Sequence, residues 1–183
     1  ILAKPCFDVV VKLDKLNNIT INDNIVKVES GYLLPKLSLE ILKHNLTGLE
    51  FAAGIPGLVG SSVAMNAGAY NKSMADVVKE ITILDENLNI KVLKNNELKF
   101  RYRDSLLKEN KKLIVLEVTL ELEHGDILEA KELIETRRQR RISTQPLNYP
   151  SSGSVFRNPE GMHAGELIEK CNLKGYNING AEI

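Results

Sequence analysis

The chain of 183 residues is 43% hydrophobic and 26% charged, the balance of an ordinary globular protein with a real core. Its 24 basic and 24 acidic side chains cancel, which disfavours broad binding to nucleic-acid phosphates. No apolar run approaches the roughly 20 residues of a transmembrane helix, and two distant cysteines exclude a disulfide framework. We therefore expect a cytoplasmic protein that binds neither nucleic acid nor membrane.

The first part of the chain predicts short strands and one helix. A β-branched apolar run predicts a buried strand over 7–13. Two short strands, 19–21 and 25–28, flank an Asx-rich turn. Apolar residues three and four apart then predict a helix over 34–46.

The middle of the chain predicts a helical turn over 74–78, a hairpin from strands 81–84 and 90–93, and a strand over 113–122. Alternation in the last strand predicts one buried and one wet face. The residues expected to be buried are Leu116, Val118, Leu120 and Leu122. Those expected in water are Glu117, Thr119 and Glu121.

The last part predicts a helix over 126–142 that begins with a capping box at Asp126 and Glu129. Four arginines between 137 and 141 are expected to form a solvated helix end. A second helix is predicted over 164–171, after a proline-bounded linker. The chain begins inside apparent structure and ends in a Gly turn that enters a strand, so we expect a fragment of a longer protein.

The segment from Gly54 to Tyr70 is rich in glycine and carries no charge. Such a backbone can approach a ligand closely and present N–H groups to a phosphate. It matches neither the P-loop nor the dinucleotide-binding glycine pattern. Tight packing of the backbone is an equally weighted interpretation of the same glycines.

Two further segments offer polar chemistry. Arg101–Ser105 interleaves two arginines with an aromatic ring, and arginine suits carboxylate or phosphate. Ser151–Pro159 holds three serines on a loop, where a hydroxyl can donate a proton. Taken alone, a surface ion pair and a polar turn are the simpler interpretations. The histidines and acidic residues show no metal-ligand spacing, so no metal is expected.

Taken together and in this order, the segments resemble the UDP-N-acetylenolpyruvoylglucosamine reductase (MurB) family. Gly48–Gly60 and Met65–Tyr70 resemble its flavin-binding signature, and Tyr102–Ser105 resembles its active-site arginine motif. Gly153–Pro159 resembles the loop that carries its proton-donating serine, and Ala164–Glu169 resembles the segment that follows.

The resemblance implies an α+β fold of the vanillyl-alcohol-oxidase (PCMH) type. Residues 1–124 would form an FAD-binding subdomain. Residues 125–183 would form a linker helix and the start of a C-terminal substrate-binding domain, both parts being incomplete. The implied reaction converts UDP-N-acetylglucosamine enolpyruvate to UDP-N-acetylmuramate with NADPH through FAD, in peptidoglycan precursor synthesis. The chain alone is expected to be inactive, because a family glutamate would lie beyond it.

The resemblance also implies roles for individual residues. Catalysis would rest on Arg103, which would stabilise an enolate, and on Ser154, which would protonate carbon. The substrate would be bound by Tyr102, Arg103, Ser154 and Asn158. FAD would be bound by Gly54, Ile55, Pro56, Gly57, Gly60, Ser61, Asn66, Gly68, Ala69 and Tyr70.

Some positions depart from the family pattern. Glu29–Tyr32 replaces a more glycine-rich stretch, Asn179 stands where Gly is usual, and Glu182 stands where Gln is usual. Two alternatives therefore stay open: another FAD-dependent oxidoreductase on the same fold, and a non-catalytic fragment.

Overall fold

The structure, a computed structural model, describes residues 10–183, which belong to two compact units. The first unit ends at Arg141 and the second comprises Ile142–Ile183. Our boundary at 124/125 assigned the long helix to the second part of the chain. The helix lies mostly with the first unit, where Ala130 is buried.

The first unit mixes strands with short helices. Its strands are β1 (Ile19–Asn22), β2 (Ile25–Glu29), β3 (Leu46–Thr47), β4 (Gly68–Ala69), β5 (Lys72–Ser73), β6 (Val78–Leu84), β7 (Ile90–Lys94), β8 (Ile114–Glu121) and β9 (Glu123–His124). Its α-helices are α1 (Leu34–Glu40), α2 (Val59–Ala64) and α3 (Leu106–Glu109), and α4 (Ile127–Thr144) belongs to it up to Arg141. Its 3-10 turns are Ile41–His44, Met74–Asp76 and Asn95–Leu98.

The main sheet has five antiparallel strands in the spatial order β1-β2-β8-β6-β7. Strand β8 lies in the middle, where Val118 and Leu120 are fully buried. Side chains from one face of this sheet pack with those of α1 and α2 in a single hydrophobic core. The predicted hairpin is confirmed by the antiparallel pairing of β6 with β7. The two strands predicted around the Asx-rich turn are also confirmed, and they pair as β1 and β2.

The alternation predicted for β8 fails at a β-bulge. The pairing between β6 and β8 shifts register between Thr82 and Ile83, which leaves an extra residue in β8. As a result Val115 is buried and Leu116, which we expected in the core, is only half-buried. A local insertion of this kind changes which side chains face the core.

Thr119 also departs from the prediction, because it is buried and not in water. It lies in register between Lys27 on β2 and Glu80 on β6. A short side chain flanked on both sides by long ones in a central strand loses most of its accessible surface.

The helix predicted over 34–46 is shorter in the structure. Helix α1 ends at Glu40 and continues as the 3-10 turn Ile41–His44. Asn45 then adopts a left-handed conformation with φ 58°, and Leu46 begins β3. Asparagine tolerates this conformation better than most residues, so it ends the helix and redirects the chain.

The strand predicted over 7–13 lies partly outside the described residues, at positions 7–9. Val10 and Val11 are exposed and do not belong to a strand, so the prediction is wrong for this part. The chain instead turns at Leu13–Leu16 and packs its backbone on Gly31, where a Cβ would lie 1.9 Å from the carbonyl oxygen of Leu13.

The second unit contains helix α5 (Ala164–Lys170) and the hairpin of β10 (Asn177–Ile178) with β11 (Ala181–Glu182). Every residue of this unit is at least partly exposed. Within residues 10–183, no helix has both the length and the apolar character that crossing a bilayer requires.

Candidate active site

The glycine-rich segment forms a turn, helix α2 and the hairpin of β4 with β5. Gly57, just before α2, has φ +144°, a conformation that favours glycine. Tyr70 and Asn71 form the hairpin turn, both with left-handed φ. The predicted cofactor residues that lie exposed on this segment are Gly54, Pro56, Ser61 and Tyr70.

The two interpretations of the glycines apply to different positions. A Cβ at Gly60 would lie 2.7 Å from the Cβ of Ser30, and one at Gly68 would lie 2.3 Å from the carbonyl oxygen of Lys72. These two glycines permit close packing. A Cβ at Gly57 would meet only two serine hydroxyls at 3.7 Å, so the backbone there is open to an approaching group.

The arginine motif forms a tight turn just before α3. The backbones of Arg101 and Asp104 exchange hydrogen bonds of 3.0 and 3.1 Å. Arg103 sits in this turn with φ +54°, which is uncommon for a residue with a long side chain. The Arg103 guanidinium lies 5.0 Å from the centre of the exposed Tyr102 ring, so the turn presents a cation beside an aromatic face.

This turn is fastened to the glycine-rich segment. An Nη of Arg103 donates a 2.5 Å hydrogen bond to the carbonyl oxygen of Gly68. The hydroxyl of Ser105, which is fully buried, donates a 2.6 Å hydrogen bond to the carbonyl oxygen of Ala64. The fold thus brings together two motifs that are separated by more than thirty positions in the sequence.

The side chain of Asn66 is buried and binds backbone with both of its polar atoms. Its Nδ2 donates to the carbonyl oxygen of Arg101 at 2.9 Å, and its Oδ1 accepts from the N–H of Ala75 at 2.9 Å. The amide that we assigned to cofactor binding is therefore occupied by the protein's own main chain.

Helix α4 adds two residues that our sequence analysis missed. The guanidinium of Arg137 lies 4.2 Å from the centre of the Tyr70 ring, and Arg141 donates a hydrogen bond to the carbonyl oxygen of Gly54. Arg138, Arg140 and Arg141 are exposed, as expected for a solvated helix end, but Arg137 and Arg141 also contact the glycine-rich segment. Their spacing of four, which places them on one helix face, was the available signal.

The charges around the segment fit an anionic cofactor. From Phe51 to Ala69 there is no charged side chain, whereas Arg103, Arg137 and Arg141 all lie against the segment. The permanent guanidinium charges of Arg137 and Arg141 beside an open glycine backbone suit an anionic group such as FAD. The residues present therefore fit this group.

The other predicted residues belong to the second unit. Ser154 is exposed on an irregular stretch next to Gly153, which has φ +75°. The Oδ1 of Asn158 accepts a 3.0 Å hydrogen bond from the N–H of Ala164, the first residue of α5. Asn158 therefore satisfies a donor at the start of this helix.

Two protein-family models match the chain. The model of an FAD binding domain matches residues 3–93. The model of the C-terminal domain of UDP-N-acetylenolpyruvoylglucosamine reductase matches residues 145–183. The first unit therefore carries an FAD-binding-type domain, and the second carries part of the C-terminal domain of this reductase class.

Relatives and solved structures agree with this order of domains. UDP-N-acetylenolpyruvoylglucosamine reductases of Caldanaerobacter subterraneus and Clostridium perfringens are each 49% identical over 96% of this chain, and the match covers 58% and 57% of their lengths. The crystal structure of the Thermus caldophilus enzyme (MurB) is 34% identical, with a TM-score of 0.77, over 86% of this chain and 57% of the other.

The chain belongs to the UDP-N-acetylenolpyruvoylglucosamine reductase family. The predicted fold class, a mixed α+β FAD-binding unit followed by the start of a MurB-type C-terminal domain, is confirmed. The chain spans somewhat under three fifths of the length of the relatives named above.

Proposed function

We propose that this chain supplies the FAD-binding unit and part of the substrate-binding unit of a cytoplasmic reductase. The reaction converts UDP-N-acetylglucosamine enolpyruvate to UDP-N-acetylmuramate with NADPH as reductant, in peptidoglycan precursor synthesis. The observation that supports the proposal most is the 2.5 Å hydrogen bond from Arg103 to Gly68, which joins the arginine motif to the glycine-rich segment.

The residues proposed to hold FAD are those of the glycine-rich segment: Gly54, Ile55, Pro56, Gly57, Gly60, Ser61, Gly68, Ala69 and Tyr70. Asn66 is left out of this set because its amide binds the protein's own backbone. Gly60 and Gly68 would act by allowing close packing, and Gly57 by leaving its backbone open. When bound, FAD supplies the two-electron chemistry that amino-acid side chains lack.

Arg103 is proposed to stabilise negative charge that builds on the enolpyruvyl carboxylate when its double bond is reduced. A guanidinium already held by the carbonyl oxygen of Gly68 needs little reorganisation during the reaction. Its planar fork suits a carboxylate, and the neighbouring ring of Tyr102 offers an apolar face to the substrate.

Ser154 is proposed to donate a proton to the carbon next to the carboxylate. A hydroxyl is a weak acid, but an enolate is basic enough to take its proton. Asn158, four residues further along the same loop, would help to orient the substrate through the donors of its amide.

The proposal is tested with Arg103→Lys in the complete enzyme that contains this chain. Lysine keeps the charge but loses the planar fork, so we expect formation of UDP-N-acetylmuramate to slow by about 10²-fold. The matched control is Arg101→Lys, because Arg101 pairs with Asp104 and Glu109. Wild-type turnover by Arg103→Lys, with product measured directly, would overturn this role of Arg103.

A further inference from the structure

Asn66 is the buried amide that lies between the glycine-rich segment and the arginine turn. It lies two residues after the end of α2 and has φ +42°, a left-handed conformation that asparagine tolerates. Its side chain is only 6% exposed. A buried amide must have its donors and acceptor satisfied, so its two hydrogen bonds are structurally specific.

Each hydrogen bond of Asn66 leads to a different segment. The Nδ2 donor reaches the carbonyl oxygen of Arg101, at the start of the arginine turn. The Oδ1 acceptor receives the N–H of Ala75, in the 3-10 turn that follows β5. The amide therefore ties the arginine turn to the 3-10 turn directly after the hairpin that holds Gly68, the residue bound by Arg103.

The arginine turn needs such ties because its conformation is unfavourable. Arg103 has φ +54°, and a non-glycine residue keeps a left-handed conformation only where its surroundings enforce it. The Nζ of Lys108 donates to the carbonyl oxygen of Arg103 at 3.1 Å, and Ser105 is fixed to Ala64 at 2.6 Å. These bonds hold the end of the turn, whereas Asn66 holds its beginning.

We propose that Asn66 is a positioning residue for Arg103. Asn66 fixes the arginine turn, so that the guanidinium of Arg103 meets the substrate at the glycine-rich segment. This inference rests on the proposed function of Arg103. The geometry of the tie itself does not depend on that function, so the two can be tested separately.

The test uses Asn66→Asp, which keeps the shape and the acceptor for Ala75 but replaces the donor that faces the Arg101 carbonyl. The matched control is Asn95→Asp, because the Nδ2 of Asn95 donates to Ala75 and Val78, outside the arginine turn. If Asn66→Asp does not fold, Asn66→Gly serves instead, since glycine permits the positive φ and adds no charge.

The first readout is hydrogen exchange over residues 101–105 together with trypsin cleavage after Arg101 and Arg103, in the 183-residue chain. Loss of one hydrogen bond should make both about tenfold faster in Asn66→Asp than in Asn95→Asp. Equal rates in the two variants would overturn the proposal, whatever the chain's activity.

The second readout is turnover of the complete enzyme. We expect kcat for product formation to fall about tenfold in Asn66→Asp, while the KM for NADPH and the rate of flavin reduction by NADPH stay unchanged. If Asn66 only stabilised the fold, its substitution would change kcat, the KM for NADPH and the rate of flavin reduction together. A loosened turn with unchanged kcat would overturn the role of Arg103 in the reaction and, with it, the positioning role of Asn66.

Discussion

The two units of the chain differ in how they hold the proposed catalytic residues. In the first unit a hydrophobic core lies beneath the sheet, and buried hydrogen bonds from Asn66 and Ser105 fasten the turn that carries Arg103. In the second unit every side chain is at least partly exposed, and Ser154 lies on an irregular stretch. Buried hydrogen bonds of the packed unit therefore fix the guanidinium proposed to stabilise charge, whereas the proposed proton donor lies on an exposed stretch.

The same comparison separates stability from function. Substitutions in the first unit should change the free energy of unfolding, because they remove packed atoms or buried hydrogen bonds. Substitutions at exposed positions of the second unit should leave it nearly unchanged, so any loss of activity there would reflect chemistry.

The largest expected effect is that of Ser154→Ala on product formation in the complete enzyme. Loss of a proton donor should slow this step by about 10²- to 10⁴-fold, while flavin reduction by NADPH stays intact. The free energy of unfolding should change by less than about 0.5 kcal/mol, because Ser154 is exposed. Stopped-flow absorbance of the flavin and product analysis measure the two steps separately.

The control for this variant is Ser152→Ala, an exposed serine on the same stretch that should keep full turnover. Turnover within twofold of wild type by Ser154→Ala would contradict the assignment of Ser154 as proton donor.

The two units should also differ in how strongly their side chains stabilise the fold. Leu120→Ala removes a fully buried side chain and should lower the free energy of unfolding by about 2–5 kcal/mol. Phe156→Ala removes an exposed ring of the second unit and should change it by less than about 0.5 kcal/mol. Urea unfolding of the 183-residue chain measures both, and equal losses would contradict the comparison.

Ser30→Ala should stabilise the first unit. The Ser30 hydroxyl is buried and, among residues 10–183, is the buried side-chain group without a hydrogen-bond partner. Its removal should raise the free energy of unfolding by about 1 kcal/mol. Ser38→Ala is the matched control, because the equally buried Ser38 donates a 2.8 Å hydrogen bond to Pro35 and should lose stability. Destabilisation by both variants in urea would refute the prediction.

The smallest expected effect concerns Asp85, in the turn between β6 and β7. Its hydrogen bond with Lys91, aided by backbone N–H groups of Asn89 and Asn87, lowers its pKa from 3.8 to about 2. A lowered pKa adds stability that is fully present above pH 3.8 and is lost as pH falls toward 2. Asp85→Asn should therefore unfold more easily at pH 6 and lose less stability between pH 4 and 2. If the free energy of unfolding falls equally in the wild type and in Asp85→Asn between pH 4 and 2, this contribution of Asp85 is excluded.

Much of the fold could be predicted because its patterns are local. The hairpins of β1 with β2 and of β6 with β7, and helix α4, follow from alternation, polar turns and a capping aspartate, whose Oδ1 accepts the N–H of Leu128. The β-bulge beside Leu116 and the left-handed Asn45 could not be predicted, since both depend on how neighbouring strands fit together.

The candidate site could be predicted only as separate motifs. The spacing of the motifs along the sequence does not reveal that Arg103 contacts Gly68, because tertiary packing forms this contact. The contacts of Arg137 and Arg141 were missed for the same reason, although their spacing placed them on one helix face. Only the resemblance to a family predicted that these separate motifs serve one flavin-dependent reaction.

We propose that Arg103 stabilises negative charge and that Ser154 donates a proton in the proposed reaction. A double-mutant cycle of Arg103→Lys and Ser154→Ala, with UDP-N-acetylmuramate formation measured in a single turnover of the complete enzyme, tests this proposal directly. Residues that act together give non-additive losses of activity. Adding Arg103→Lys to Ser154→Ala should therefore slow product formation by a smaller factor than Arg103→Lys slows it in the wild-type enzyme. Losses that multiply fully would contradict the account.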